Sequence, residues 1–218
     1  MDQFFYSNLI YNDKIVLPED EALHVIKVLR KNKGDKINVI DGRGNLYHTS
    51  IVSDDVQDCH LNIINIIKDY KHTDYYIHIA IVPPKSHDRV EMFVEKAIEL
   101  GVHEISFIIS ERSERNNIKL NRINKCSISA TKQSLKAKLP KINDTVLFND
   151  FIKNCSNNQK FIAHLGNNNL HLINSALKNT DYCILIGPEG GFTNLEVDES
   201  INNKFILVSL GDSRLRTE

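Results

Sequence analysis

The stretch Ile184-Leu-Ile-Gly-Pro-Glu-Gly-Gly-Phe-Thr193, echoed by Ser209-Leu-Gly-Asp-Ser-Arg-Leu-Arg-Thr-Glu218, decides how this chain folds. The apolar run Tyr182-Cys-Ile-Leu-Ile186 reads as a strand buried on both faces. It meets Gly187-Pro188 and then Gly190-Gly191, where side chains are absent and backbone amides can approach a ligand closely. Thr193 and Glu196 stand at capping-box spacing, which predicts a helix from about Asn194. A strand, a glycine loop and a capped helix in that order are how α/β proteins build a ligand site at the carboxyl end of a sheet. The second stretch repeats the logic, with Phe205-Ile-Leu-Val-Ser-Leu210 as strand and Gly211 as its exit. An ordinary strand-to-helix turn explains Gly211 equally well, and explains the run from Gly187 to Gly191 much less well.

Working back from this stretch, the pattern from Tyr75 onward alternates strand and helix. Tyr76-Ile-His-Ile-Ala-Ile-Val82 is a strand stopped by Pro83-Pro84. Asp88 with Glu91 suggests another capping box. Val90, Phe93, Val94, Ala97 and Ile98 then form one apolar helix face, which ends at Gly101. A strand over 104–109, a helix over 122–136, a strand over 161–165 opening into Gly166-Asn-Asn-Asn169, and a helix over 170–178 complete the set. Such alternation implies a mostly parallel sheet with helices on both faces. Residues 1 to about 70 differ, with short strands expected at 15–17, 36–40, 46–52 and 59–67. Asp41-Gly-Arg-Gly-Asn45 is a hairpin turn by composition, and a helix after Pro18 carries Ala22, Val25, Ile26 and Leu29. That pattern suggests a small barrel, joined to the rest through the polar run 68–74.

The chain has 218 residues, 41% hydrophobic and 25% charged, which is the composition of a soluble globular protein. The opening residues lack a signal-peptide pattern, and no apolar run approaches the ~18 residues of a membrane helix, so a cytoplasmic protein is expected. Four dispersed cysteines without a Cys-x-x-Cys pair read as free buried thiols, with neither a disulfide nor a metal site expected. The net charge of −1 hides a local bias. Between Glu111 and Lys141 nine basic residues face two acidic ones, a local charge of about +7. Arg112, Arg115, Arg122, Lys125, Lys132 and Lys136 belong to this phosphate-seeking segment. A weaker cluster includes Arg30 and Arg43; there a solvated face is as good a reading.

These residues also carry a resemblance. Gly187-Pro-Glu-Gly-Gly-Phe-Thr193 with Glu196, followed by Leu210-Gly211 and Leu215-Arg-Thr-Glu218, resembles the signature of the RsmE family of the SPOUT superfamily. The similarity extends through most of the chain. It includes His24, Val28-Leu-Arg30, Gly34-Asp35 and Asp41-Gly-x-Gly44, then Lys85 and Glu95-Lys-Ala-Ile-Glu-Leu-Gly101, and finally Glu111-Arg-Ser113, Gln133-Ser134 and Pro140. The resemblance implies a PUA-like, RNA-binding β-barrel over 1–70 and a SPOUT methyltransferase domain with a trefoil knot over 74–218. It further implies a homodimer, S-adenosylmethionine as methyl donor, and N3 of a uridine in 16S ribosomal RNA of the small subunit as the target. The family has glutamate and arginine around the Gln-Ser pair, where this chain has Lys132 and Lys136. Family members also continue past the position of Glu218 into a closing helix. The resemblance therefore implies either such a helix here or another means of closure.

On this basis the cofactor cradle is expected at Leu165, Gly187, Pro188, Glu189, Gly190, Gly191, Leu210, Gly211, Leu215 and Arg216. Arg112 and Arg216 are candidates to hold phosphate or the uracil anion. Two roles are open to Glu189: proton acceptor, or acceptor for loop amides and cofactor. His164, at a strand end next to a glycine, is also open to the role of base, but a satisfied core or rim histidine is the better reading of it. Two other readings stand beside the enzyme. One is an RNA-binding, ribosome-associated protein that does not transfer methyl. The other is a dinucleotide-dependent oxidoreductase, which Gly42-x-Gly44 serves poorly because the third glycine is missing.

Overall fold

Where apolar residues alternate in the amino-terminal part, strands form, and where glycine interrupts them, the chain turns. The structure is a computed structural model that describes residues 3–165, 170–213 and 215–218. Met1, Asp2, Arg214 and the expected Gly166-to-Asn169 loop lie outside the described residues. The chain divides into two units, residues 1–72 with 127–139, and residues 73–126 with 140–218.

In the first unit the strands are β1 (Phe4–Tyr6), β2 (Leu9–Tyr11), β3 (Lys14–Val16), β4 (Lys36–Ile40), β5 (Leu46–Ile51) and β6 (His60–Ile67). They form one sheet in the order β1-β4-β5-β6-β3-β2, antiparallel except where β1 lies parallel to β4. β1 and β2 carry no alternation long enough to read from sequence. Phe5, Ile15, Val39, Ile51 and Leu61 close the core under this sheet. Helix α1 (Glu19–Leu23) follows Pro18 and then widens into a π-helical turn over His24–Val28. The widening corrects the simple helical reading. Ala22 and Val25 are buried as expected, but Leu29 leaves the apolar face and is exposed. The Asp41 turn is tight: its carboxylate accepts from the Arg43 and Asn45 amides at 2.7 and 3.0 Å. Gly42, at φ +74°, has no room for a side chain, since a Cβ there would stand 2.7 Å from Leu139 Cδ1.

The second unit contains β7 (Tyr76–Ile81), α2 (His87–Leu100), β8 (Glu104–Ile109), β9 (Lys141–Leu147), α4 (Phe148–Asn154), β10 (Gln159–Ala163), β11 (Leu170–His171), α5 (Leu172–Ser175), β12 (Asp181–Ile186), α6 (Asn194–Asn202) and β13 (Ile206–Ser209). Helix α3 (Leu120–Gln133) carries the chain from this unit into the first, and the return falls between Leu139 and Pro140. The sheet order is β11-β13-β10-β12-β7-β8-β9, and every adjacent pair is parallel. β9 and α4 have no clear periodic signal, yet Phe148, Phe151 and Ile152 of α4 pack into the main core with Ala80, Ile108, Ile162, Cys183 and Leu185. Full burial of each such side chain contributes about 2 kcal/mol.

Several local expectations are corrected here. β12 alternates, with Cys183 and Leu185 fully buried and their neighbours half-buried. The helix expected over 170–178 is instead a two-residue strand and the short α5. The Asp88–Glu91 capping box is absent: α2 starts after Ser86, which makes no side-chain cap. Gly101 does end α2, in the left-handed conformation at φ +98°. The four cysteines are free thiols, but only Cys59 and Cys183 are buried.

At the amino-terminal edge of this sheet sits a buried polar network. His78 Nε2 pairs with Ser106 Oγ at 2.8 Å, and Asn143 Nδ2 donates to Ser106 Oγ at 2.8 Å and to Glu104 Oε1 at 2.7 Å. Tyr76 and Lys141 also donate to Glu104, each at 2.8 Å. Burial depresses the His78 pKa, partly opposed by the Glu104 charge, so the fold favours the neutral imidazole. The unfolded imidazole takes up a proton near its ordinary 6.5. Below that pH the unfolded chain binds more protons, and stability falls. Burial alone would raise the Glu104 carboxyl, but the bonds from Lys141, Asn143 and Tyr76 outweigh it and hold the group below its ordinary 4.5. Its contribution is lost only at more acid pH. Urea titrations at pH 7.5 and 5.5 should show wild type weakening across this interval and His78→Gln weakening less. Parallel losses would mean that His78 does not govern the effect.

Candidate active site

In a sheet whose strands are all parallel, every carboxyl end lies at one edge. β7, β8 and β9 run outward in one direction, whereas β12 sits between β7 and β10, with β13 beyond. The order therefore reverses between β7 and β12, and ligands of open α/β sheets bind at such a reversal. The expected glycine loop leaves β12 at this point. Val82 N–H donates to Ile186 O at 2.9 Å, fixing the end of β7 against the start of the loop.

The loop is held from below and open above. Phe192 is 4% exposed and packs against Phe148 at a ring separation of 5.3 Å. A Cβ on Gly187 would meet the Phe192 ring at 3.1 Å, so any side chain there would push against the ring. Gly191 N–H closes a turn onto Pro188 O at 2.8 Å, and its φ of +69° is one that glycine adopts without strain. Among the described residues nothing lies within 4 Å of a notional Cβ on Gly191 or Gly211, and Gly190 meets Arg112 Cδ at 3.6 Å. This is a cradle of bare backbone beside open space. Ser209 Oγ accepts from the Gly211 amide at 3.1 Å and donates to Gly211 O at 2.9 Å, which shapes the second loop.

Of the polar candidates, Arg112 reaches this loop directly: its Nη1 donates to Gly190 O at 2.7 Å. Glu189 is exposed. Arg216 is 76% exposed and lies 3.9 Å from Glu218 Oε1, whose side chain is 4% exposed and also faces Arg89 Nε at 3.5 Å. Leu165, Leu210 and Leu215 are all exposed. His164 follows the last residue of β10, and its amide donates to Val208 O at 3.1 Å.

The basic segment is less free than its sequence suggests. Arg115 donates to Lys85 O and contacts the His87 ring. Arg122 pairs with Glu91 and lies 3.7 Å from Asp88. Lys132, in the first unit, is paired with Glu21, at side-chain exposures of 20% and 7%. Lys125, Arg30 and Arg43 are exposed, and Lys136 is half-buried. Two residues important to the geometry carried no functional signal in sequence. Glu196 stood out as a helix cap and as part of the family signature, and Glu218 as the last residue of that signature, neither with a role of its own. Among the described residues no cluster of metal-ligating side chains occurs, and no helix is long and apolar enough to cross a membrane.

Comparison with known proteins fits this geometry. Residues 71–218 match the family model of an RNA methyltransferase domain, and residues 17–64 match that of an RNA methyltransferase PUA domain. A ribosomal RNA small subunit methyltransferase E from Rickettsia conorii is 29% identical, with 99% of this chain and 89% of the relative covered. A crystal structure of a probable rRNA-methyltransferase from Porphyromonas gingivalis superposes with a TM-score of 0.92 at 37% identity, covering 99% of this chain and 92% of that one. A ribosomal RNA small subunit methyltransferase E from Neisseria gonorrhoeae, solved bound to S-adenosyl methionine, gives a TM-score of 0.89 at 25% identity, covering 100% and 92%.

Proposed function

The chain belongs to the RNA methyltransferase family, and from that premise we propose that it methylates N3 of a specific uridine in small-subunit (16S) ribosomal RNA, with S-adenosylmethionine as donor. The single observation that carries the site assignment is the bare-backbone cradle at the sheet reversal, where Gly190, Gly191 and Gly211 border open space.

Gly187, Pro188, Glu189, Gly190 and Gly191 of the first loop would hold the cofactor largely through backbone groups. Leu210, Gly211, Leu215 and Arg216 of the second, together with Leu165 after β10, complete the cradle. When bound, the sulfonium supplies an electrophilic methyl group. The chain's own task is positioning. It must bring a deprotonated ring nitrogen into line, hold negative charge on the uracil oxygens, and keep water out. Arg112 and Arg216 present guanidinium donors for that charge or for flanking phosphate. Glu189 is the candidate proton acceptor, directly or through water, and its exposed position leaves it open to substrate. The target base must leave its stack, at a cost of a few kcal/mol.

Residues 1–70 are assigned to RNA binding and residues 74–218 to catalysis. A trefoil knot is part of this reading, and the insertion of β12 between β7 and β10, with β13 outside, is compatible with it. A homodimer is part of this reading, and Leu165, Leu170, Ile173, Leu195 and Leu215 of the second unit are exposed apolar side chains available to it. A cytoplasmic location follows from a ribosomal substrate.

Transfer of labelled methyl from S-adenosylmethionine to unmethylated 30S subunits tests the reading. One methyl per subunit, mapped to N3 of a uridine, is the expected result. Cofactor binding without transfer would leave an RNA-binding protein instead. Affinity for the 30S subunit should also fall with salt, by about 0.7 to 0.9 in log-log slope per phosphate contacted. Lys125→Glu should flatten that slope while cofactor affinity stays as in wild type. An unchanged slope would reduce this exposed lysine to a solvated residue.

A further inference from the structure

Two loops far apart in sequence meet at the candidate site, and one buried carboxylate touches both. Glu196 is 7% exposed, in the first turn of α6. Its Oε2 accepts from the Thr193 amide at 2.8 Å and from Thr193 Oγ1 at 3.2 Å. Thr193 Oγ1 in turn accepts from the Glu196 amide at 3.3 Å. These bonds make the capping box, and a cap needs no more. The other oxygen does something that a cap does not. Oε1 accepts from the backbone amide of Glu111 at 2.8 Å, on the turn that follows β8.

That turn is itself rigid. Ser110 N–H donates to Ser113 Oγ at 2.8 Å, and Ser113 N–H returns to Ser110 O at 3.1 Å. Arg112 lies between these two serines, and its Nη1 donates to Gly190 O. The turn is thus tied to the glycine loop at two points, through Glu196 at the loop's end and through Arg112 at its middle.

We propose that Glu196 is a positioning residue that clamps the Ser110–Ser113 turn onto the glycine loop and so sets Arg112 and the Gly190–Gly191 backbone for cofactor binding. The inference rests on the reading of the glycine loop as the cofactor cradle, whereas the clamp itself stands on the hydrogen bonds alone. A carboxylate at this position accepts from both backbone amides with different oxygens. An amide side chain would turn an NH2 group toward one of them and leave a buried donor unpaired.

The test uses Glu196→Gln in the full chain, with two readouts. Amide hydrogen exchange without ligand should show faster exchange at Glu111 or Thr193, and calorimetry should show S-adenosylmethionine bound about tenfold more weakly. Arg112→Ala should weaken binding in wild type and weaken it much less in Glu196→Gln, because both act through one clamp. Thr193→Ala removes the capping hydroxyl but keeps the bond to Glu111, so its loss should simply add to that of Arg112→Ala. Wild-type exchange at both amides, or additive losses from Glu196→Gln and Arg112→Ala, overturns the proposal. Should Glu196→Gln fail to fold, Arg112→Ala alone must speed exchange at the Gly191 amide, and unchanged exchange there overturns it equally. A wild-type protein that binds no S-adenosylmethionine refutes the cofactor reading, while exchange in the ligand-free variants still decides the clamp.

Discussion

Replacing Gly190 by valine should abolish S-adenosylmethionine binding while the chain remains folded. The separation of the two effects is what makes the experiment informative. Gly190 lies outside the left-handed region, and among the described residues a Cβ there would meet Arg112 Cδ alone, at an ordinary contact distance of 3.6 Å. Gly190 is also exposed, so the branched side chain disturbs no packed core. It does occupy the space above the cradle and crowds the guanidinium that holds Gly190 O. Forcing a ligand past such a group costs about 3 kcal/mol, or at least about a hundredfold in affinity. Circular dichroism and the urea midpoint should match wild type. Gly191→Ala gives the contrast: its φ of +69° strains any other residue, so stability should fall by about 1 kcal/mol. Tight binding by Gly190→Val would remove this loop from the site.

Lys132→Ala is expected to destabilise the protein by about 3 kcal/mol, although a lysine late in a basic helix reads as a surface cation. Its ammonium is paired with Glu21, whose side chain is 7% exposed and whose Oε2 has no hydrogen-bond partner among the described residues. Removing the lysine leaves a buried carboxylate uncompensated. The double change Glu21→Leu with Lys132→Met should recover most of the loss, because an apolar pair of similar size avoids burying either charge. Urea unfolding of the three variants checks this. A single mutant as stable as wild type would mean that the pair is not held in solution. Lys132 is consequently a poor probe of RNA contact, since a fall in affinity after its removal would mix lost phosphate binding with lost stability. Lys125, exposed on the same helix, does not carry this ambiguity.

The contrast between these two lysines shows where sequence reading stops. Both sit in one basic run, and composition treats them alike. Glu21, 111 residues away, distinguishes them. The same holds for Arg112. Its charge marked it for phosphate or uracil, whereas in the fold it reaches Gly190 O across 78 residues. For Glu196 the local role was legible, because a capping box is complete within four residues. Its bond to Glu111 spans 85 residues and left no trace in the pattern. The π-helical turn over His24–Val28 escaped for a related reason. Periodicity assumes one helical pitch, and the packing of Val25 together with the exposure of Val28 and Leu29 selects another.

By itself the sequence determined whatever depends on neighbours along the chain. That covers the β12 strand, the glycine loop with no side chains to block its backbone, the Thr193 cap at the start of α6, and the glycine stop of α2. Hydrophobic period, turn chemistry and capping act within a few residues, so they can be read without a fold. Tertiary structure alone decided the sheet order that puts β12 beside β7, the place of residues 127–139 in the first unit, and the partners of Arg112, Lys132 and Glu196. The partners depend on which charges and amides the fold brings within about 3 Å, and that distance is unrelated to separation along the chain.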